Sequence, residues 1–594
     1  MKCLEYPFAG EELLRRKKRI KKELLADGSV RIPKRIAILG GSTTNDIRLM
    51  LELFLLDYGI APEFYESEYN QYYEEAMFPG AELQEFAPDI IYLHTSYHNI
   101  TAFPQLADTP EQIEAMLQAE YGRYCGMWDA LAQRFGCIVI QNNFEYPHYR
   151  LLGNMDASDR HGKVNFVTRL NCLFYDYAGT HENFYIHDIN YLSAVYGLDR
   201  WADSFSWHMY KYCCNVSAIP EFAFSLAKII KALYGKNKKG YVLDLDNTLW
   251  GGIVGDDGPE NIEVGQETSM GQVYQEFQAY LKEQKQLGVL LNIDSKNEYE
   301  NAVAGLEHPG GVLKKEDFIA IRANWEPKDK NLTDIAAELS LLPESLVFVD
   351  DNPAERAIVS AQVPGVAAPE MGTVENYIRV LDRSGFFEAT GISADDLKRN
   401  AMYRENAQRT ALQASFADYG EYLRSLMMKA EIRPFAPAWL ARIAQLTNKS
   451  NQFNLTTKRY SQAEIAAVAA DPAYLTLYGK LEDRFGDNGV VSVVIGRQEG
   501  DVLFLDLWIM SCRVLKRDME CAMMDALAQR AGERGIRTIY GFYYPTAKNK
   551  MVRDFYGERG FSRVSQDAAG NTKWELSLAV YRPQNTVIQV EDER

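Results

Sequence analysis

The sequence predicts an α/β protein of three domains, two built on parallel sheets and one of mixed topology. Three observations carry this. At 594 residues the chain exceeds what one hydrophobic core supports, since single cores stop growing at about 250–300 residues. Short apolar runs alternate with amphipathic helical stretches, the βα rhythm of a parallel sheet. These runs end in polar residues, and in parallel sheets binding sites collect at the C-terminal ends of strands.

In order along the chain, "KRIAILGGSTTNDIRLMLELFLLDYG" reads as a buried strand, a Gly-Gly-Ser turn and an amphipathic helix. "PDIIYLHTSYHNI" and "GCIVIQNNF" are further short strands of a first domain over residues 1–235, closed by the linker-like "KALYGKNKKG". A second domain, 236–385, repeats the pattern in "GYVLDLD", "GVLLNIDSKN", "FIAIRANW" and "SLVFVDDNPAE". Residues 386–430 form a charged helical connector, 431–580 a mixed domain with strands such as "GVVSVVIGR" and "DVLFLDLWIM", and 581–594 a tail.

Composition narrows the function classes. A formal charge of −18 excludes a general nucleic-acid binder, because phosphate backbones would be repelled. The eight cysteines show no C-x-x-C pair, so neither a zinc site nor a disulfide framework is indicated. The N-terminal segment carries acidic residues and its basic run precedes no long apolar stretch, unlike a signal peptide. No window approaches ~18 uninterrupted apolar residues, the length of a spanning helix. The expectation is a soluble, cytoplasmic protein with no nucleic-acid or membrane partner. Seven of the eight histidines precede residue 210, so histidine chemistry would belong to the first domain.

The second domain carries the chemistry. Asp244 and Asp246, Ser295 and Lys296, Lys328, and Asp350-Asp351-Asn352 follow successive strands or precede helices, and a parallel sheet brings them to one edge. Crowded carboxylates are tolerable around a divalent cation, and an all-oxygen set of Asp244, Asp246, Asp350 and Asp351 suits Mg²⁺. Asp244 would attack phosphorus, Asp246 would shuttle the proton, and Ser295 and Lys328 would hold phosphoryl oxygens. Asp256 and Asp257 fall in a glycine-rich, hairpin-like flap and are not expected ligands. That flap is short, and no insertion between Ser295 and Lys328 is long enough for a lid, so the site should be open.

"DLDNTLWGG", "SKN", "NWEPK" and "VFVDDNPAERA" resemble the haloacid dehalogenase (HAD) superfamily of phosphatases, subfamily IIIC, and within it the FkbH-like branch. The resemblance implies a capless Rossmann-like HAD sheet, with Asp244 as nucleophile and Asp246 as acid/base. Thr248 and Asn297, in the first and second motifs, are the substrate-binding residues it implies. One departure is "NIDSKN", where relatives often carry Cys before Ser-Lys-Asn.

"LTNKSNQFNLTTKRYS" and "LDLWIMSCRVLKRDME" resemble the C-terminal region of FkbH-like proteins, which is similar to GNAT acyltransferases. GNAT folds cradle the CoA pyrophosphate on a glycine-rich turn. Here Lys516 and Asp518 stand at the glycine positions, which argues against CoA. A phosphopantetheine arm could instead lie along the preceding strand near Arg513, Lys516 and Arg517. Cys512, at that strand's end, is a candidate to carry an acyl group in transit, against the plainer reading of a buried structural thiol. A basic patch for an acidic carrier is expected near Lys516, Arg517, Lys548 and Lys550, and Tyr556 stands where GNAT folds carry a tyrosine.

The first domain resembles SGNH-type hydrolases, with a flavodoxin-like parallel sheet, only in outline. Ser42 would be its nucleophile and Asn142 or Asn143 an oxyanion donor. The D-x-x-H element is missing, since Asp203 and His208 are wrongly spaced, so a degenerate binding or docking domain is expected. The whole resemblance implies an FkbH-like enzyme of secondary metabolism. Such enzymes move a glyceryl unit from a phosphorylated donor, 1,3-bisphosphoglycerate, to the pantetheine thiol of an acyl carrier protein. A plain HAD phosphohydrolase and a non-enzymatic interaction protein are the alternatives.

Overall fold

The computed structural model describes residues 1–591 apart from 414, 450, 451 and 547; the side chains of residues 395, 411, 449 and 512 also lie outside that description. The chain divides into two compact units, Met1–Leu233 and Tyr234–Arg594.

The first unit is built on five parallel strands: β1 (Ile32–Gly40), β2 (Ile60–Glu66), β3 (Ile90–His94), β4 (Ile138–Asn142) and β5 (Phe184–His187), in the order β2-β1-β3-β4-β5. All residues of β3 and β4 are buried. That is why these strands read as unbroken apolar runs rather than alternating ones, as expected when helices cover both faces. The longest helix, Pro110–Phe135, starts on a Thr109 capping box and stops at Gly136, whose φ of 57° is the left-handed conformation that favours glycine. Its Trp128 packs into an aromatic cluster with Phe174, Tyr177 and Phe184.

The second unit holds two sheets. Four parallel strands, β6 (Gly240–Leu243), β7 (Leu290–Ser295), β8 (Ala320–Ala323) and β9 (Leu346–Val349), run in the order β8-β7-β6-β9. Strand β6, flanked by β7 and β9, therefore brings three strand ends together. Nine further strands make a mixed sheet: β10 (Lys429–Arg433), β11 (Phe453–Asn454), β12 (Tyr474–Asp483), β13 (Gly486–Glu499), β14 (Val502–Met510), β15 (Thr538–Tyr543), β16 (Ser562–Gln566), β17 (Thr572–Ser577) and β18 (Gln589–Glu591). Its order is β16-β17-β15-β14-β13-β12-β10-β18, with β11 paired to the end of β14.

The charged connector is a pair of helices, Ala394–Gln413 and Tyr419–Ser425. It is stitched to both sheets. Asn400 donates to the carbonyl of Lys285 at 2.8 Å, and Arg409, 2% exposed, meets Asp483 at 2.7 Å. Among the described residues, no helix is long and apolar enough to cross a membrane.

Candidate functional site

Strands β6 and β9 of the second unit each lead into a buried carboxylate. Asp244 follows β6 and is 6% exposed; Asp350 follows β9 and is fully buried. Lys328, the first residue of the helix Lys328–Glu338, reaches between them: Nζ lies 2.8 Å from Asp244 Oδ1 and 2.5 Å from Asp350 Oδ2. Asp351 adds a third carboxylate, and one oxygen from each of Asp244, Asp350 and Asp351 falls within 4.8 Å of the others. Three carboxylates against one ammonium leave negative charge uncompensated, which a divalent cation bound to oxygen ligands would offset. Burial holds the Asp244 carboxyl above its ordinary range; Lys328 opposes that and Asp350 adds to it. Burial and then Asp350 raise Asp351 in the same direction. Lys328 stays charged because Asp244 and Asp350 outweigh the cost of burying it.

Backbone contacts fix this edge. Arg356 donates to the carbonyls of Asp350 and Asp351 at 2.7 and 2.8 Å, and Asn352 N–H donates to Asp350 Oδ1 at 2.8 Å. Thr248, fully buried, accepts from the N–H of Asp351 at 3.2 Å, which makes it a brace for the acidic loop.

The carboxylate of Asp246 does not join the cluster. It accepts from Trp250 Nε1 at 2.9 Å, from the Val254 N–H at 3.0 Å and from Asn297 Nδ2 at 2.8 Å. Of the four acids expected to bind metal, three are brought together, and Asp246 is turned toward the flap by these three donors. The flap itself is a one-turn helix, Val254–Asp257, rather than a hairpin, and Asp257 closes it by accepting from the Ile253 N–H. Asn297 also donates to Ser295 Oγ at 3.2 Å, so Ser295, Asn297 and Asp246 form one chain beside the cluster.

One buried acid escaped the motif reading. Asp294, at the end of β7 and fully buried, accepts from Asn331 at 3.0 Å through Oδ1, while Oδ2 has no partner among the described residues. Burial pushes its carboxyl up to about 8, against the pull of Asn331 and Lys328. The signal was an acid inside the apolar run "LLNIDS", which a strand buried on both faces should not carry unless it is protonated or paired.

The turn after β14 behaves differently from its expectation. Lys516 and Asp518 keep φ of 62° and 59°, the conformation that glycine would favour. Lys516 is exposed, but Arg517 is interior: it meets Asp483 at 3.2 Å and donates to Asn406 at 2.7 Å. Its guanidinium is built into the fold and cannot bind a phosphate without breaking that network. Arg513 points at Ser511 and Met402, again inside the unit. Lys548 pairs with Glu344 at 2.5 Å. Of the expected basic patch, Lys516 and Lys550 are exposed and, among the described residues, outside such pairs. The side chain of Cys512 lies outside the described residues.

The strand that was to receive a pantetheine arm is also occupied. β14 pairs with β15 only over Val502–Phe504, then the two part. The freed edge of β14 is taken by β11 at Ile509 and Met510; Leu455 N–H donates to the Trp508 carbonyl at 3.2 Å, and Thr456 to the Asp506 carbonyl at 2.7 Å. An arm's amides would find their acceptors already used. Tyr556 is a packed ring, 1% exposed beneath Gly541, where a Cβ would come within 2.3 Å of it.

In the first unit, Ser42 follows β1 and is 2% exposed. Asn142 is locked by bonds to Thr95 and Asn143, and Asn143 by Tyr175, Asp188 and Asn190, so neither amide is free to hold an oxyanion. Asp203 caps the helix Ser204–Tyr210, on which His208 is exposed.

Residues 35–231 match the family described as FkbH, N-terminal domain. The N-terminal part of the protein BF1531 from Bacteroides fragilis, containing a phosphatase domain and complexed with Mg, is 28% identical. The match covers 65% of this chain and 100% of that one, with a TM-score of 0.58. Smaller likenesses, each over 25% of this chain, are to Ard1 from Thermoplasma volcanium (17% identity, 97% of that chain, TM-score 0.20) and to the GNAT domain of PAT from S. lividans (16%, 89%, TM-score 0.21). No curated protein matches the chain. The α/β fold class expected from the sequence is the one found: a parallel five-stranded sheet within the residues that match the FkbH N-terminal family, a second parallel sheet of four strands and a mixed sheet.

Proposed function

We propose that the second unit is a Mg²⁺-dependent HAD-type enzyme of the FkbH kind. It removes the ester phosphate from a phosphorylated three-carbon acyl donor, and the phosphopantetheine thiol of an acyl carrier protein takes the acyl unit by displacing the acyl phosphate as inorganic phosphate. The observation that carries this is Lys328 held between Asp244 and Asp350 with Asp351 alongside. The three carboxylates offer the hard oxygen ligands that Mg²⁺ takes, and the cation, when bound, neutralises charge on the phosphoryl oxygens. The Mg in the BF1531 crystal structure supports the same reading.

Asp244 attacks phosphorus as a carboxylate, and Lys328, which opposes its upward shift, keeps it ionised and orients it. Asp246 serves as proton shuttle by exchanging one of its three bonds for the substrate. The Asn297 bond is the one to trade, because Asn297 keeps Ser295 as an alternative acceptor. With the edge of β14 taken, the carrier's arm is expected to reach the Asp244 site from its open side.

The test incubates full-length protein with 1,3-bisphosphoglycerate, Mg²⁺ and a holo-acyl carrier protein, and reads phosphate release and intact carrier mass. Carrier gaining a glyceryl group, lost in Asp244→Asn, is the expected result. A second reading, a plain phosphohydrolase, draws on the interior position of Arg517, which removes part of the expected docking patch. Phosphate release with no change in the carrier would favour it.

A further inference from the structure

In the first unit Ser42, the expected nucleophile, is buried against a base that no motif announced. Ser42 Oγ, after β1, lies 2.7 Å from Nε2 of His94, the last residue of β3. The two are adjacent because β1 and β3 pair in parallel register, Gly40 opposite His94. On the other side of the ring, His94 Nδ1 is 3.4 Å from Tyr92 OH, which is 3.0 Å from His187 Nδ1. Two hydrogen-bond directions are open to this row. In the one where Ser42 donates to His94, His94 Nδ1–H donates to Tyr92 and Tyr92 to His187, which leaves an N–H at His187 Nε2. That atom is buried and has no partner among the described residues. The tautomer this sets is the one in which His94 Nε2 can take a proton from Ser42.

The site is roofed by one segment. The helix Ser204–Tyr210 leads into residues that cross the ends of β1 and β3. Thr43 donates to the carbonyls of Lys211 and Tyr210 at 2.9 and 2.6 Å, and Cys213 Sγ lies 3.4 Å from His94 Nε2. Trp207 stacks on His98 with centroids 3.8 Å apart, the roof's outer latch. Beside Ser42, Asn99 donates its amide to the Gly41 carbonyl at 3.0 Å. A Cβ on Gly41 would come within 2.5 Å of that amide nitrogen, so glycine is what lets it sit there.

We propose that Ser42 and His94 form a second, acyl-transferring centre for a short activated acyl group, ester or thioester, gated by residues 204–213. In the closed state Cys213 shares His94 with Ser42; lifting the segment frees the imidazole and uncovers the hydroxyl. Ser42 Oγ then attacks the acyl carbon and its proton passes to His94 Nε2. The alcohol or thiol leaves carrying that proton, and an acyl ester remains on Ser42. Water, or a second alcohol or thiol, takes the acyl group and returns the proton to Ser42. His94 thus fills the role that the missing D-x-x-H element left empty.

The test treats full-length protein under native conditions with a fluorophosphonate probe and maps the adduct by peptide mass spectrometry. The serine oxygen displaces fluoride, and the phosphonate stays on the protein. We expect a single adduct on Ser42, absent in Ser42→Ala and slowed by about 100-fold or more in His94→Gln, the usual contribution of a general base. Trp207→Ala, which only loosens the roof, should speed labelling by about fivefold, the shift expected from losing one aromatic pair. Asp244→Asn should label like wild type, so failure here is separable from failure of the phosphoryl site. Folded wild-type and Trp207→Ala proteins that both stay unlabelled at Ser42 would overturn the proposal. So would an adduct on Cys213 instead, or labelling unaffected by His94→Gln.

Discussion

The two parallel sheets place polar groups in the same topological position, past the C-terminal ends of adjacent strands, and offset their burial by opposite means. In the second unit, Asp244, Asp350 and Lys328 compensate one another by charge. In the first, Ser42, His94, Tyr92 and Asn142 are satisfied by hydrogen bonds among hydroxyl, imidazole and amide groups. A charged edge responds to ions, pH and the loss of one partner; a neutral edge responds mainly to the loss of a hydrogen bond. The contrast can be broken or sharpened at individual residues.

The largest effect is expected at Asp244. Asp244→Asn keeps the shape and removes the nucleophile, so phosphate release should fall by at least about 1,000-fold, as for other covalent catalysts. A smaller loss in a steady-state assay would mean that water attacks phosphorus directly and the charged edge only positions it. Lys328→Met comes next. Removing one member of a buried ionic group leaves the others uncompensated and costs about 3–5 kcal/mol. Thermal unfolding with and without Mg²⁺ should show this variant gaining more from the ion than wild type does. Equal gains would show that the ion does not share the carboxylates with Lys328.

Asp294 tests pH. Its folded-state value of about 8 stands above the unfolded 3.8, so the folded protein holds a proton that the unfolded chain has released. Stability from this site is therefore lost as pH rises from about 4 to about 8. Asp294→Asn removes the titration while keeping an acceptor for Asn331. Its stability relative to wild type should be near zero at pH 4 and grow to about 5 kcal/mol by pH 8, at roughly 1.4 kcal/mol per unit. A difference that does not change with pH would refute this. In the neutral edge, Asn142→Ala should cost about 1–3 kcal/mol, from stranding the Thr95 backbone groups. Urea titrations of both variants across this pH range should find that cost independent of pH, which is the sharper half of the comparison.

This difference also explains what could be read from the sequence. The charged edge is carried by short contiguous motifs, "DLDNT", "DSKN", "PKDKN" and "VDDN", each at a strand or helix end, so spacing alone located Asp244, Ser295, Lys328, Asp350 and Asp351. Motif membership did not reveal where each side chain points. Asp246 belongs to the same motif as Asp244, yet Trp250, Val254 and Asn297 hold it apart. Arg517 reads as a surface cation and is interior, because its partners Asp483 and Asn406 lie 34 and 111 residues away. The same applies to Ser42, whose partners His94 and Cys213 are 52 residues off and, from His94, a further 119. Strand order brought them together, and no local pattern recorded it. The parallel-sheet rhythm was legible for the opposite reason, since burial on both faces writes an apolar run into every strand.

The smallest expected effect concerns Lys548. It meets Glu344 at 2.5 Å, with each side chain 37% exposed, and this pair spans the two sheets of the second unit. Solvent-exposed pairs of this kind are worth about 0–1 kcal/mol and weaken with salt. Lys548→Ala should therefore change the unfolding midpoint little, by less than about 1 kcal/mol, and less still in 0.5–1 M salt. Carrier loading is the discriminating measurement. If Lys548 serves docking, Lys548→Ala should raise the KM for the carrier at low salt while kcat holds. If it serves the Glu344 pair alone, Glu344→Gln should reproduce the small stability change, and neither variant should alter carrier KM. The two outcomes separate a charge kept for the fold from a charge kept for a partner, the distinction that Arg517 already draws on the interior side of the same sheet.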